Sequence, residues 1–232
     1  MIEARKVVKR FGPKPVLRGV DFLVDRGEFV ALVGPNGAGK TTFLRILASL
    51  ARPNLGELHV AGFVLPAQAA DVRRSIGVLS HQPLLYGDLT AEENLRFYGK
   101  LYAVQNLEAR IRDTLRMVGL QRRRHDLVRS FSRGMQQRLA IARATMHEPE
   151  LLLFDEPHTG LDPDAAAMLD GLLREVAQHG RTIVMTSHDL QRASDLATRV
   201  DILSGGKIAA SFKQGEIDLQ RLSEMYRSVT HG

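Results

Sequence analysis

The chain has 232 residues, with 32 Lys and Arg against 26 Asp and Glu for a net charge of +6, 44% hydrophobic residues and 25% charged ones. That length and balance bury a core and exclude a disordered, collagen-like or coiled-coil chain, leaving one large domain or a domain with an inserted lobe. With no cysteine, disulfides, thiolate metal sites and cysteine nucleophiles are excluded, and a reducing compartment suits every residue.

No apolar stretch of signal-peptide length follows Met1-Ile2-Glu3-Ala4-Arg5-Lys6. The apolar runs fall far below the roughly 20 residues of a spanning helix, so the chain is not expected to cross a membrane by itself. Phe29 to Val33 reads as a buried strand, Gly34 to Gly39 as a glycine-rich loop, and Lys40 to Leu47 as a helix. Between Pro83 and about Arg129 the pattern is helical only. Thr90 and Glu93 form a capping box, and Leu107, Ile111, Leu115 and Val118 make one apolar stripe that Gly119 ends. An inserted all-helical lobe accounts for that stretch. Strand patterns return at Leu151–Phe154, Thr182–Thr186 and Val200–Leu203, and Gly205-Gly206 predicts a hairpin turn. Short strands alternating with helical periods predict an α/β architecture.

The pI near 9.9 and the stretch Arg122-Arg123-Arg124-His125, with Arg129, Arg133 and Arg138, raise a nucleic-acid reading. The charge excess is modest and no aromatic residues interleave the arginines as stacking platforms, so a solvated face or an acidic protein or lipid neighbour is the preferred reading.

Two constellations carry chemistry. Gly34-Pro35-Asn36-Gly37-Ala38-Gly39-Lys40-Thr41, followed by Thr42, fits the phosphate-binding pattern G-x-x-x-x-G-K-[ST]. Glycines let backbone N–H groups approach phosphate oxygens, Lys40 adds a point charge, the helix start adds its dipole, and the Thr41 hydroxyl is placed for Mg²⁺. A nucleoside triphosphate is the expected ligand. The second is Leu151-Leu152-Leu153-Phe154-Asp155-Glu156, a buried strand that delivers two carboxylates at its C-terminal end, where open α/β sheets bind ligands. Asp155 would hold the metal directly or through water, and Glu156 would orient or deprotonate the attacking water. A capped helix start at Asp155 with a surface glutamate is the alternative for that segment alone, and the glycine loop upstream weighs against it.

In this order the residues from Phe11 to His188 resemble the ATP-binding subunits of ABC transporters, and Phe131-Ser132-Arg133-Gly134-Met135-Gln136-Gln137-Arg138 resembles their signature motif. The resemblance implies one domain over 1–232: a P-loop NTPase core of residues 1–82 and about 130–232 with an N-terminal antiparallel β portion, and a helical subdomain at about 83–130. It implies that Phe11 stacks on adenine and that Gln82, in Ser80-His81-Gln82-Pro83, senses Mg²⁺ and the attacking water. Gly160-Leu161-Asp162 would couple two ATP sites, and His188 would contact the γ-phosphate. Each site would join Lys40, Thr41, Gln82, Asp155, Glu156 and His188 of one chain to Ser132 and Gly134 of a second copy. ATP and Mg²⁺ are the implied ligands. A separate membrane-spanning subunit at the cytoplasmic face is the implied partner, the transported substrate never touching this chain.

Three residues depart from the family pattern: Arg133 for a glycine, Met135 for a glutamine and His158 for a threonine. None removes a catalytic group, so hydrolysis is expected. The signature segment and compact length look most like the ATPases that export haem for cytochrome c biogenesis, with drug, lipid or polysaccharide exporters as the alternative. A soluble ABC ATPase acting on nucleic acid or ribosomes is the reading from another class, disfavoured because only one set of motifs is present.

Overall fold

The computed structural model describes residues 1–80, 82–215 and 218–231. It is an α/β P-loop fold built on two sheets. The first is antiparallel, in the order β2 (Lys14–Val24), β1 (Ile2–Phe11), β4 (Leu55–Val60), β5 (Phe63–Leu65). The second runs β10 (Lys207–Lys213), β9 (Arg199–Ser204), β3 (Phe29–Val33), β8 (Thr182–Ser187), β7 (Leu151–Asp155), β6 (Ile76–Leu79), parallel from β9 to β6 with β10 hairpinned antiparallel onto β9.

The central strands β3, β8 and β7 of the second sheet are buried on both faces, which is why they read as largely apolar runs, whereas the edge strand β10 is mostly exposed. Successive side chains go to opposite faces, so Phe29, Ala31 and Val33 join one core cluster while Val30 and Leu32 join another. The same split sends Leu152 and Phe154 one way and Leu151 and Leu153 the other. One cluster packs beneath α1 (Lys40–Leu47) and the antiparallel sheet; the second reaches α3 (Ala91–Leu101), α4 (Leu107–Met117), α5 (Arg133–Thr145) and α6 (Pro163–Gln178). A short α2 (Ala69–Ser75) precedes β6, and α7 (Leu190–Leu196) and α8 (Leu219–His231) complete the helices.

The stretch expected to be helical contains α3 and α4 plus two short 3-10 turns at Gln121–Arg123 and Val128–Ser130, with a single β-bridge between Thr90 and Leu127. Thr90 and Glu93 form the anticipated reciprocal cap of α3, and Gly119 follows α4 with φ +67°. The buried α5 ties this region to the sheet, since Arg143 Nη2 donates to the carbonyl of Val78 at 2.7 Å and its guanidinium lies over the Tyr98 ring. Among the described residues no helix is long and apolar enough to cross a membrane.

Candidate active site

The strand order brings the C-terminal ends of β3, β7 and β8 side by side, which places the glycine loop, Asp155-Glu156 and His188 at one sheet edge. The loop owes its shape to glycine: Gly37 has φ +82°, and Gly39, which caps α1, has φ +106°. That φ strains any residue with a Cβ, and a Cβ on Gly39 would also crowd Leu17 Cδ2 at 2.9 Å and Val16 O at 3.3 Å.

Lys40, only 5% exposed, donates from Nζ to the carbonyls of Gly34 at 2.7 Å and Pro35 at 3.4 Å, with Glu156 Oε1 at 3.8 Å. Burial pulls its pKa below the usual lysine value, and the carboxylates of Glu156 and Asp155 oppose that shift. The ammonium thus sits at the mouth of the loop, where phosphate oxygens are stronger acceptors than the carbonyls it now touches. Phe11, Lys14, Val16, residues 36–42 and Glu156 line one cavity of about 430 Å³. Phe11 presents an exposed ring at its edge, with Lys9 Nζ 5.1 Å from the ring centroid.

Asp155 closes β7 in a buried position, and its Oδ1 accepts from Thr41 Oγ1 at 3.0 Å and from Thr186 Oγ1 at 2.8 Å. A hydroxyl and a carboxylate this close are hard oxygen donors suited to Mg²⁺, which takes one or two protein ligands and completes its shell with phosphate and water. No cluster of three or more His, Asp or Glu with metal-holding geometry occurs among the described residues. A pair of donors beside a phosphate loop fits a nucleotide-borne metal better than a protein cage.

Glu156 adopts φ +49°, a left-handed conformation rare for a side chain with a Cβ. The Thr186 hydroxyl, which donates to Asp155, accepts the Glu156 N–H at 2.9 Å and so holds both acidic residues in place. Glu156 Oε2 lies 3.5 Å from His188 Nδ1 and accepts from Thr159 Oγ1 at 3.2 Å. A carboxylate and an imidazole sharing one edge opposite the lysine can position a water and transfer its proton.

Ser132 caps α5 by accepting the N–H of Met135, and Gly134 is buried so tightly that a Cβ would meet that of Ala165 at 2.8 Å. Neither lines the cavity at Lys40. The first turns of α5 instead touch the segment after Glu156: Gln137 Nε2 donates to Pro157 O at 2.7 Å, and the Arg133 guanidinium packs on Gly160. Gln82 is exposed, its carbonyl accepts from Ser80 Oγ, and it lines a different cavity with Pro83, Leu84, Leu85, Tyr86 and Tyr98. The neighbouring His81 lies outside the described residues.

Sequence reasoning missed Thr186, although a hydroxyl in a fully buried strand one position from the edge is a signal in itself. It also missed Asp170 and Arg192, which stand outside any motif.

A phosphate-binding loop, a metal-competent hydroxyl–carboxylate pair and a poised glutamate on this fold define a P-loop ATPase. The ABC transporter family model matches residues 17–159, more than half of the chain, and the chain belongs to that family. The linearmycin resistance ATP-binding protein LnrL of Bacillus subtilis is 36% identical over 90% of this chain and 68% of its own length. The Nod factor export ATP-binding protein I of Cupriavidus pinatubonensis is 36% identical over 94% and 67% respectively, and the ABC transporter ATP-binding protein NatA of Bacillus subtilis 37% over 89% and 82%. A solved ATP-binding subunit of an ABC transporter superposes with a TM-score of 0.88 at 33% identity, covering 99% of both chains. The dimeric ATP-binding cassette MJ0796, bound to ADP and Pi after hydrolysis, gives 0.82 at 29% identity over 92% of this chain and 98% of its own.

Proposed function

We propose that this chain is the energy-coupling subunit of a membrane exporter, in which two copies close on two ATP molecules and reopen after hydrolysis. The observation that carries it is the convergence of Lys40, Thr41, Asp155, Glu156 and His188 at one sheet edge while Ser132 and Gly134 lie elsewhere on the same chain. Half of a site is assembled, and the capped N-terminus of α5 offers free N–H groups to the phosphate held by the other copy.

In this reading the 34–41 backbone and Lys40 clamp the β- and γ-phosphates, and Phe11 stacks on the base. Bound Mg²⁺, held by Thr41 and Asp155, supplies charge neutralisation on the phosphates. Glu156 takes the proton of the attacking water, and His188 holds the γ-phosphate while fixing the glutamate's orientation. Gln82, which lines a different cavity, would sense the water and so link hydrolysis to whatever docks beside it.

The docking surface for the membrane subunit is the face around Gln82, where Leu84, Tyr86, Phe97 and Leu101 are exposed. It is held firm from beneath: the buried Asn94 side chain bonds both N–H and C=O of Tyr86, and Tyr98 Oη donates to Leu84 O. Such an exposed apolar patch suits a short helix from a partner. In this reading the chain sits on the cytoplasmic face of a membrane, and residues 83–130 are the subdomain that receives the partner.

The name of the Nod factor relatives supports export, and together with the linearmycin resistance relative it weights the cargo toward drugs, lipids or polysaccharides. The haem reading rests on sequence resemblance, chiefly that of the Phe131–Arg138 segment. The test is purification of the tagged chain from detergent-solubilised native membranes, with ATP turnover measured beside Glu156→Gln. A co-purifying membrane protein and Glu156-dependent turnover are expected; recovery only with ribosomes or nucleic acid refutes the transporter reading. Loss of c-type cytochromes on expressing Glu156→Gln would select haem, and drug sensitivity with normal cytochromes the alternative.

A further inference from the structure

A carboxylate outside every motif joins the two halves of the hydrolytic machinery. Asp170, on the middle of α6, accepts from His158 Nε2 on Oδ1 at 2.7 Å and from Arg192 Nη1 on Oδ2 at 2.5 Å. His158 stands two residues after Glu156, and Arg192 four residues after His188. The Asp170 side chain is 16% exposed, His158 12% and Arg192 25%, so the three are held out of bulk water. Arg192 is steadied further by Asp189, whose Oδ2 lies 3.5 Å from its Nε. Glu156, His158, His188 and Arg192 also line one cavity of about 360 Å³, so two members of the network share a wall with the glutamate and histidine assigned to hydrolysis.

We propose that Asp170 is a positioning residue for ATP hydrolysis, a brace that sets the loop carrying Glu156 against the helix that follows His188. Three observations favour this over simple stabilisation. A largely buried charged cluster is weak evidence of stability, because apolar packing of equal volume serves as well or better. Glu156 sits in a strained left-handed conformation, which persists only where its surroundings over-determine it. Besides its local bonds, Thr159 N to Glu156 O and Leu161 N to His158 O, the loop from Glu156 to Leu161 is tied to β8 by the Glu156 N–H on Thr186 and to α5 by Gln137 on Pro157 O, and the His158 ring adds its side-chain tie to α6. Through Asp170, any shift of α7 moves the Glu156 loop with it, keeping the carboxylate and His188 at their 3.5 Å separation.

The inference rests on the roles given above to Glu156 and His188, and the experiment separates the two. Full-length wild type, Asp170→Asn, Arg192→Met, Arg192→Lys, Asp170→Asn/Arg192→Met and Glu156→Gln are compared for kcat, for the KM of ATP and for melting temperature. The nucleotide cradle is untouched by the Asp170 and Arg192 changes, so Asp170→Asn is expected to lower kcat roughly tenfold, a modest misplacement of reacting groups, with KM unchanged. Arg192→Met should act alike, Arg192→Lys should retain most of the rate, and the double variant should be no slower than either single one, since both break the same brace. Arg192→Met carries the test should Asp170→Asn fail to fold, because it leaves the bond to His158 intact. Wild-type kcat in both variants, a rise in KM alone, or losses that multiply in the double variant would overturn the proposal. Full turnover in Glu156→Gln would instead sink the catalytic reading on which it stands.

Discussion

Thr186→Val is the most direct probe of how the acidic pair is held. Valine matches threonine in shape, and the site is fully buried, so packing is preserved while one hydroxyl disappears. That hydroxyl makes two bonds: it donates to Asp155 Oδ1 at 2.8 Å and accepts the Glu156 N–H at 2.9 Å. A hydrogen bond to a charged group contributes about 1.5–3 kcal/mol, and a buried N–H left without a partner costs about 1–3 kcal/mol. The two share one atom and do not simply add, so a loss of about 3 kcal/mol is expected, which for a chain of this size lowers Tm by about 6–12 °C. Turnover should fall more steeply than stability, because Asp155 loses one of its two donors and the strained Glu156 backbone loses its anchor. Thr186→Ser keeps the hydroxyl and gives up a methyl, so it should keep near-wild-type turnover and lose only about 1 kcal/mol. Calorimetric melting and steady-state ATPase on the three proteins decide it. If Thr186→Val melts within a degree of wild type and turns over ATP normally, the hydroxyl does not hold the acidic pair.

Further outcomes follow from the same geometry. Phe11→Ala should raise the KM for ATP about tenfold with kcat little changed, as base stacking contributes about 1–3 kcal/mol, whereas Phe11→Tyr should match wild type; equal KM values in all three would remove Phe11 from the site. Glu156→Gln should lose at least about a hundredfold in turnover, the scale of an absent general base, while still binding nucleotide by equilibrium titration. Chelating Mg²⁺ with EDTA should abolish turnover, and activity surviving a molar excess of chelator would exclude Thr41 and Asp155 as metal ligands. Burial pushes the His147 pKa down to about 4 from an ordinary 6.5, with its ring stacked on Tyr102 and its Nε2 against Ile76 O. The native state therefore holds this ring neutral, and its contribution is complete above pH 6.5 and is lost as pH falls toward 4. Denaturant titrations should lose up to about 3 kcal/mol across that window, and His147→Gln should flatten the slope; identical slopes would refute the assignment.

The parts that the sequence makes legible are those in which one residue type is dictated by local chemistry. Gly37 and Gly39 are written into the chain because the loop needs positive φ, and the unbroken apolar run of β7 ending in Asp155-Glu156 announces a strand end with carboxylates on it. Thr90, Ser132 and Asp162 are equally readable, each capping the helix that follows it. The antiparallel sheet is a different case. Its strands alternate buried and exposed side chains irregularly, with bulges between Ala4 and Val7 and again between Lys9 and Arg10, so no clean period survives to be read and only the family resemblance pointed there. Asp170 and Arg192 were opaque for another reason. Their meaning is set by α6 and α7 lying together behind the 156–161 loop, a contact between residues 22 apart that neither periodicity nor a motif encodes.

That contrast bears on how the site works. The legible residues, Lys40, Thr41, Asp155 and Glu156, touch the nucleotide or its metal in the proposed mechanism, and their chemistry fixes their identity wherever such a loop occurs. The illegible ones set where the legible ones stand. Arg133 illustrates the point: it departs from the family's glycine, yet its guanidinium covers Gly160 so closely that a Cβ there would lie 2.5 Å from Cζ. Together with the bond from Gln137 to Pro157, this fastens the start of α5 to the segment that follows this chain's own Glu156. In the closed pair, α5 would face the second copy's nucleotide and Glu156 the first. A phosphate arriving at Ser132 would therefore press on the loop that positions hydrolysis at the other site, and the two ATP molecules would be coupled through a single chain.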